Sequence, residues 1–156
     1  MSRHFTSRVF NVFGDYALSM LQRPRALQIA ALCQRMHEGQ RQVLLITSRG
    51  SGRWIIPKGW TMRGKTAAQA AEIEAWEEAG VRPSNVGGEA IGSYTYHKVK
   101  RGGLPVPVEV LVYGVWVRSL SDDFPEVGQR KRAWMTPQEA APLVAEPGLQ
   151  DLLRSL

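Results

Sequence analysis

Apolar and polar positions along the chain alternate in blocks that read as short strands, turns and a few helices. Residues 26–33 and 43–47 are largely apolar or β-branched, and Glu38-Gly39-Gln40 between them is a polar turn. This predicts two strands joined as a hairpin. A loop, Arg49-Gly50-Ser51-Gly52-Arg53, leads to a short strand Trp54-Ile55-Ile56 that Pro57 stops. From Thr66 to Ala79 the pattern is helical. Thr66 with Gln69 three positions on fits a capping box, alanines favour the helix interior, and Gly80 stands where a left-handed terminating residue is expected. Two longer strands are predicted over 90–99 and 106–117, the second starting at an edge or a bend because of Pro105 and Pro107. Ala133-Trp134-Met135 reads as a short strand. Thr136 then caps a helix with Pro137 at its first position, and 149–156 forms a last short helix. Strands interleaved with two or three helices predict an α/β sandwich.

A length of 156 residues fits one domain with its own core. The first 25 residues carry Arg3, Arg8, Arg23 and Arg25 against a single acid, Asp15. They read as an N-terminal arm on a domain spanning 26–156, or alternatively as a mitochondrial targeting segment. No run approaches the roughly 18 apolar residues that cross a bilayer. Cys33 is the only cysteine and lies in an apolar run, so it is read as a packing residue, in keeping with a reducing cytoplasm. The formal charge of +6 suits a polyanionic partner: nucleic acid, an anionic membrane or a polyphosphate.

The predicted helix concentrates the chemistry. Glu74, Glu77 and Glu78 fall at i, i+3 and i+4, which places three carboxylates on one helical face. They also sit near the helix C-terminus, where the macrodipole disfavours anions. The helix alone gains nothing from this arrangement. A divalent cation would reverse the sign, and carboxylate oxygens are the ligands that Mg2+ prefers. The plain alternative is a solvated acidic face.

Residues 59–81 resemble the Nudix box: Gly, five residues, Glu, seven residues, Arg-Glu, an apolar residue, any residue, Glu-Glu, any residue, Gly, apolar. Gly59, Glu74, Glu77, Glu78, Gly80 and Val81 match, whereas Lys65 replaces the first Glu and Ile73 replaces the Arg. The box Arg usually orients the glutamates, so Ile73 bears on activity. Residues 48–59 and 128–134 look like the diphosphoinositol polyphosphate phosphohydrolase branch of that family, which also includes diadenosine polyphosphate hydrolases. The resemblance implies an α/β/α sandwich with a mixed sheet between helices. It also implies a site in which Glu74, Glu77, Glu78 and the backbone carbonyl of Lys58 bind Mg2+ (or Mn2+), with a glutamate as base. Glu126 is the candidate base from outside the box.

The implied activity is hydrolysis of a pyrophosphate bond in an inositol pyrophosphate or a diadenosine polyphosphate. Arg49, Arg53, Lys58, Arg130, Lys131 and Arg132 are the candidate phosphate-binding cations, with Lys98, Lys100 and Arg101 behind them. His97 is either a phosphate contact or a structural histidine. Trp54, Trp76, Trp116 and Trp134 are read as core. A catalytically weak module that binds nucleotide or RNA, and a purely structural acidic-helix protein, are the competing readings. No RNA-binding motif is visible, and oligomeric state is not set by the sequence.

Overall fold

The computed structural model describes residues 26–99 and 102–156. The expected N-terminal arm, Lys100 and Arg101 lie outside the described residues.

Seven strands form one mixed sheet. Five of them run in the order β3 (Trp54–Ile55), β2 (Gln40–Thr47), β1 (Ala26–His37), β6 (Val106–Leu120) and β5 (Val81–Lys98), with β3 and β5 at the two ends of this path. β1 pairs antiparallel with β2 through the Glu38-Gly39 turn, as the hydrophobic pattern predicted, and parallel with β6 from Ala26↔Val108 to Gln34↔Trp116. β1 also changes partner along its length. Its first half pairs with β4 (Lys58–Trp60) and its second half with β2. The change is marked by the Ala31 amide, which donates to Pro57 O (2.9 Å). β7 (Arg132–Met135) pairs antiparallel with the other side of β2.

Both faces of the sheet are covered, which is why its central strands read as continuous apolar runs rather than alternating ones. Ile29, Ala31, Cys33, Leu44 and Ile46 point to one face, against helix α1 (Ala67–Ala79). Ala30, Leu32, Val43 and Leu45 point to the other, against α2 (Pro137–Ala140), a 3-10 turn (Ala141–Leu143) and α3 (Pro147–Arg154). The result is the expected α/β/α sandwich. Cys33 is fully buried in it, and burial pushes its thiol far above the ordinary range.

The sequence pattern misses two elements. β5 starts at Val81, directly after α1, rather than near Ala90. Pro83, Asn85, Gly87 and Gly88 hide its first half, and the pairing with β6 absorbs them in irregular register at four places between Arg82 and Gly92. β3 ends before Pro57, as expected, but a further strand, β4, follows it. The tryptophans also differ from the expectation. Trp54, Trp76, Trp116 and Trp134 are each only half-buried. Arg35, Arg41 and Arg82 lie over the rings of Trp134 (4.3 Å), Trp116 (5.6 Å) and Trp76 (5.0 Å), so these indoles are lids over the core margin, capped by cations.

Candidate active site

Helix α1 is held in place at both ends. Thr66 Oγ1 accepts from the Gln69 amide (3.1 Å) and Gln69 Oε1 accepts from the Thr66 amide (2.9 Å), completing the capping box. Gly80 ends the helix at φ 68°, and a Cβ there would meet Phe124 Cδ1 at 2.6 Å and Ser121 O at 2.8 Å. Ala70, Ala71, Ala75 and Ala79 are fully buried, and these small side chains let the helix lie close to the sheet. Glu74 and Glu78 share that inner side and are buried with them, at 9% and 8% exposure. Glu77 is half-buried, and its carbonyl accepts from the Glu126 amide (3.0 Å). Gly59 faces Glu74 so closely that a Cβ would fall on the carboxylate. A glycine is required there for approach, not for an unusual φ.

Glu78 is the hub of the polar network. Its Oε2 accepts from the Lys58 amide (3.2 Å) and its Oε1 from Arg130 Nη2 (3.1 Å). The same Arg130 nitrogen reaches Glu126 Oε1 (3.4 Å), and Arg49 Nη1 reaches that oxygen from the other side (3.1 Å). Arg130 Nη1 is anchored on Thr47 O (3.1 Å). The carboxylates outnumber the cations at their centre. Burial, then the charges of Glu78, Glu77 and Glu126, push Glu74 up to about 7. Burial also raises Glu78, despite the opposing pull of Arg130. Lys58 is lowered, chiefly by burial, against the charges of Glu78 and Glu146.

Glu74 and Glu78 open into a cleft of about 540 Å3 that is also lined by Arg49, Arg53, Lys58, Gly59, His97 and Lys98, whereas Glu77, Glu126 and Arg130 do not line it. Of the expected cations, Arg49, Arg53, Lys58 and Lys98 therefore face the carboxylates across one cavity. Arg130 lies behind Glu78 as a positioning group. Lys131 and Arg132 do not line the cleft. The Lys131 amide donates to Thr47 Oγ1 (2.9 Å) and its side chain is exposed. Arg132 Nη1 donates to Ala79 O (2.8 Å) and Ser121 O (2.9 Å), satisfying a carbonyl at the C-terminus of α1 where a cation is favoured. His97 is exposed and lines the cleft, rather than packing as a structural histidine.

The donor set fits a divalent cation. Glu78, Glu77 and Glu126 add their charges to the burial that raises Glu74, a concentration of negative charge that a cation would relieve, and hard oxygen donors match Mg2+ or Mn2+. The described residues contain no group of three or more His, Cys, Asp or Glu already drawn together as a metal-ligand cluster. Arg130 stands between Glu78 and Glu126.

Four cleft residues escaped the sequence analysis: Gln28, Trp60, Tyr96 and Val99. Tyr96 donates its hydroxyl to Gln28 Oε1 (2.6 Å), and Lys58 Nζ lies 5.4 Å from the Tyr96 ring centre. Trp60 is 44% exposed, with Lys98 Nζ over its ring at 4.8 Å. Gln28 had a signal, as the one polar residue in the apolar run of residues 26–33, a pattern that points to a buried polar contact.

A family profile described as NUDIX domain matches residues 26–156. Among characterised proteins, "Nudix hydrolase 16, mitochondrial" of Arabidopsis thaliana is 30% identical over 115 residues, 72% of this chain. The chain spans 63% of that relative's length. Among solved structures, the C. elegans Ap4A hydrolase superposes with a TM-score of 0.59 at 20% identity, over 83% of this chain and 94% of that one. The E. coli dihydroneopterin triphosphate pyrophosphohydrolase superposes with a TM-score of 0.64 at 15% identity, over 85% and 94%. At these identities the superpositions establish the fold.

Proposed function

The chain belongs to the Nudix hydrolase family, and from that membership we propose that it cleaves a phosphoanhydride bond in a phosphate-rich small molecule, an inositol pyrophosphate or a diadenosine polyphosphate, with Mg2+ or Mn2+. The observation that carries this reading is the meeting of buried Glu74 and Glu78 with Arg49, Arg53, Lys58 and Lys98 in one cleft. Cations on the walls hold phosphate oxygens, and carboxylates on the floor take metal.

Glu74, Glu77, Glu78 and the carbonyl of Lys58 would hold the metal, which when bound acidifies water and offsets charge on the phosphates. The protein groups do the rest. Arg49 and Arg53 grip non-reacting phosphates through paired N–H donors, Lys58 and Lys98 add point charges, and Glu126 takes the proton of the attacking water. The departure at Ile73 has a counterpart in the structure. Ile73 cannot orient the glutamates, but Arg130 holds Glu78 and Glu126 from outside the box. That favours an active enzyme over a binding module. The described residues contain no helix long and apolar enough to cross a membrane. Cys33, the only cysteine, is a free thiol, and on that ground we propose a reducing compartment such as the cytoplasm.

The test is phosphate release with Mg2+ from inositol pyrophosphates, diadenosine polyphosphates, nucleoside diphosphate sugars, nucleoside triphosphates and triphosphorylated RNA. Parallel wells with added pyrophosphatase count pyrophosphate products. Turnover of one class, abolished by Glu78→Gln, is the expected result. Silence across the panel from folded, metal-supplemented protein overturns the hydrolase reading, and salt-dependent RNA binding without turnover would replace it.

A further inference from the structure

Eight large apolar side chains are exposed among the described residues, and four of them, Trp60, Val99, Leu104 and Val106, gather at one end of the sheet. There β1 begins opposite Val108, Trp60 pairs with Gln28 two positions further on, and Lys98↔Val106 is the last rung between β5 and β6. The β5–β6 connection carries Val99 and Leu104 beyond that rung, at 67% and 87% exposure. Apolar side chains clustered this way on the surface mark a place where something docks.

The same end is cationic. Residues 57–71 and 90–108 hold six Lys or Arg and no Asp or Glu. Arg63 and Lys65 are exposed in the connection that follows Trp60, and Lys98 Nζ lies over the Trp60 ring at 4.8 Å. This pairing of charge with aliphatic tips narrows the occupant. A second copy of the chain would set cation against cation. Residues 1–25 would do the same, with four Arg and one acid. A nucleic acid would satisfy the cations, but it gives Val99 and Leu104 no apolar partner, and the Trp60 ring already carries Lys98. Recognition of a protein segment works through a groove or a sheet edge, whereas these side chains stand on a projecting connection.

An anionic lipid surface offers both things at once, negative headgroups and an apolar layer beneath them. We propose that this end of the sheet docks on such a surface. Leu104 and Val99 dip below the headgroups, the Trp60 ring rests at their level, and Lys98, Arg63 and Lys65 meet lipid phosphates. Tryptophan suits that level because its ring is apolar and its N–H is polar, and lysine can bury its stem while its ammonium stays wet. The attachment is peripheral and needs no spanning helix. Trp60, Lys98 and Val99 also line the cleft, so docking sets the cleft mouth against the headgroups. The inference does not rest on the hydrolase reading, since attachment requires neither metal nor turnover.

The experiment sediments the full chain with vesicles of phosphatidylcholine alone and of phosphatidylcholine mixed with phosphatidylserine, at low and high salt. The expected result is binding to the mixed vesicles only, weakened by salt. Leu104→Ser should bind them about tenfold or more weakly, because it removes the apolar side chain that the lipid would bury. Leu143→Ser, which changes an exposed leucine of the 3-10 turn, should bind like wild type. Both leucines are exposed, so the two variants keep the fold, which melting temperatures verify. No binding to mixed vesicles, equal binding to both kinds, or equal affinity of Leu104→Ser and wild type overturns the proposal. Tight binding of single-stranded RNA with none to vesicles assigns this end to nucleic acid instead. A dimer in sedimentation velocity that Leu104→Ser splits, with no vesicle binding, assigns it to a second copy.

Discussion

Arg130 Nη2 lies 3.1 Å from Glu78 Oε1, and both side chains are nearly sealed from water, at 7% and 10% exposure. Removing one member of a buried pair leaves the other charge uncompensated. Arg130→Ala is expected to cost about 3 kcal/mol of folding stability, read by urea denaturation. Mn2+ brings replacement charge to the same carboxylates. It should raise the melting temperature of Arg130→Ala more than that of wild type. Equal shifts in the two proteins would argue against Glu78 as a metal ligand.

Gly59 has room only because it lacks a Cβ. Gly59→Ala is expected to displace the Glu74 carboxylate while leaving the backbone conformation accessible, since Gly59 is not among the residues with positive φ. A carboxylate misplaced by about 1 Å can cost on the order of 100-fold in turnover. The check is kcat/KM beside a circular dichroism spectrum. Lost activity with a retained fold is the expected outcome, and wild-type turnover would remove Glu74 from the site.

The raised carboxyl of Glu74 makes stability depend on pH. Its ordinary value is 4.5 and its value in the folded chain is about 7. Between these limits the folded chain keeps a proton that the unfolded chain has released. Unfolding free energy therefore falls as pH rises through that window. The loss from this group is complete above its folded value. Glu78, shifted the same way, adds to it. Denaturation in chelator at about pH 5 and about pH 8 should show the slope in wild type and a shallower one in Glu74→Gln. Parallel slopes would mean that Glu74 is not the group responsible.

Arg132 and Arg53 are both arginines near the site, and their roles should separate in kinetics. Arg132 donates to Ala79 O and Ser121 O, so Arg132→Ala is expected to lose roughly 1–3 kcal/mol of stability with KM nearly unchanged. Arg53 is exposed on the cleft wall, so Arg53→Ala should raise KM several-fold with little change in melting temperature. Paired thermal melts and saturation curves decide it. The reverse pattern would exchange their roles.

The legible parts of this chain were those governed by local chemistry. Thr66, Gln69 and Gly80 announce a helix because capping needs only neighbours in sequence, and the spacing of Glu74 and Glu78 follows from helical geometry. The hidden parts depended on distant partners. The first half of β5 looks like a loop because Pro83, Gly87 and Gly88 discourage a strand, and only β6 beside it holds the pairing together. Arg49, Arg130 and Arg132 look alike as basic residues in loops. One faces the cleft, one braces Glu78 and one ends a helix, a distinction set by which carboxylate or carbonyl the fold brings within reach.

The partner change along β1 has a bearing on how this site can diversify. β1 leaves β4 and takes up β2, and the loop of residues 48–53, which joins β2 to β3, brings Arg49 and Arg53 to the cleft. Glu74 and Glu78 belong to α1, whose caps at Thr66 and Gly80 and whose packing on the sheet involve no residue of that loop. Insertions, deletions or charge swaps there can rewrite the rim while the carboxylate floor stays where it is. The architecture amounts to a fixed reaction centre with an interchangeable collar.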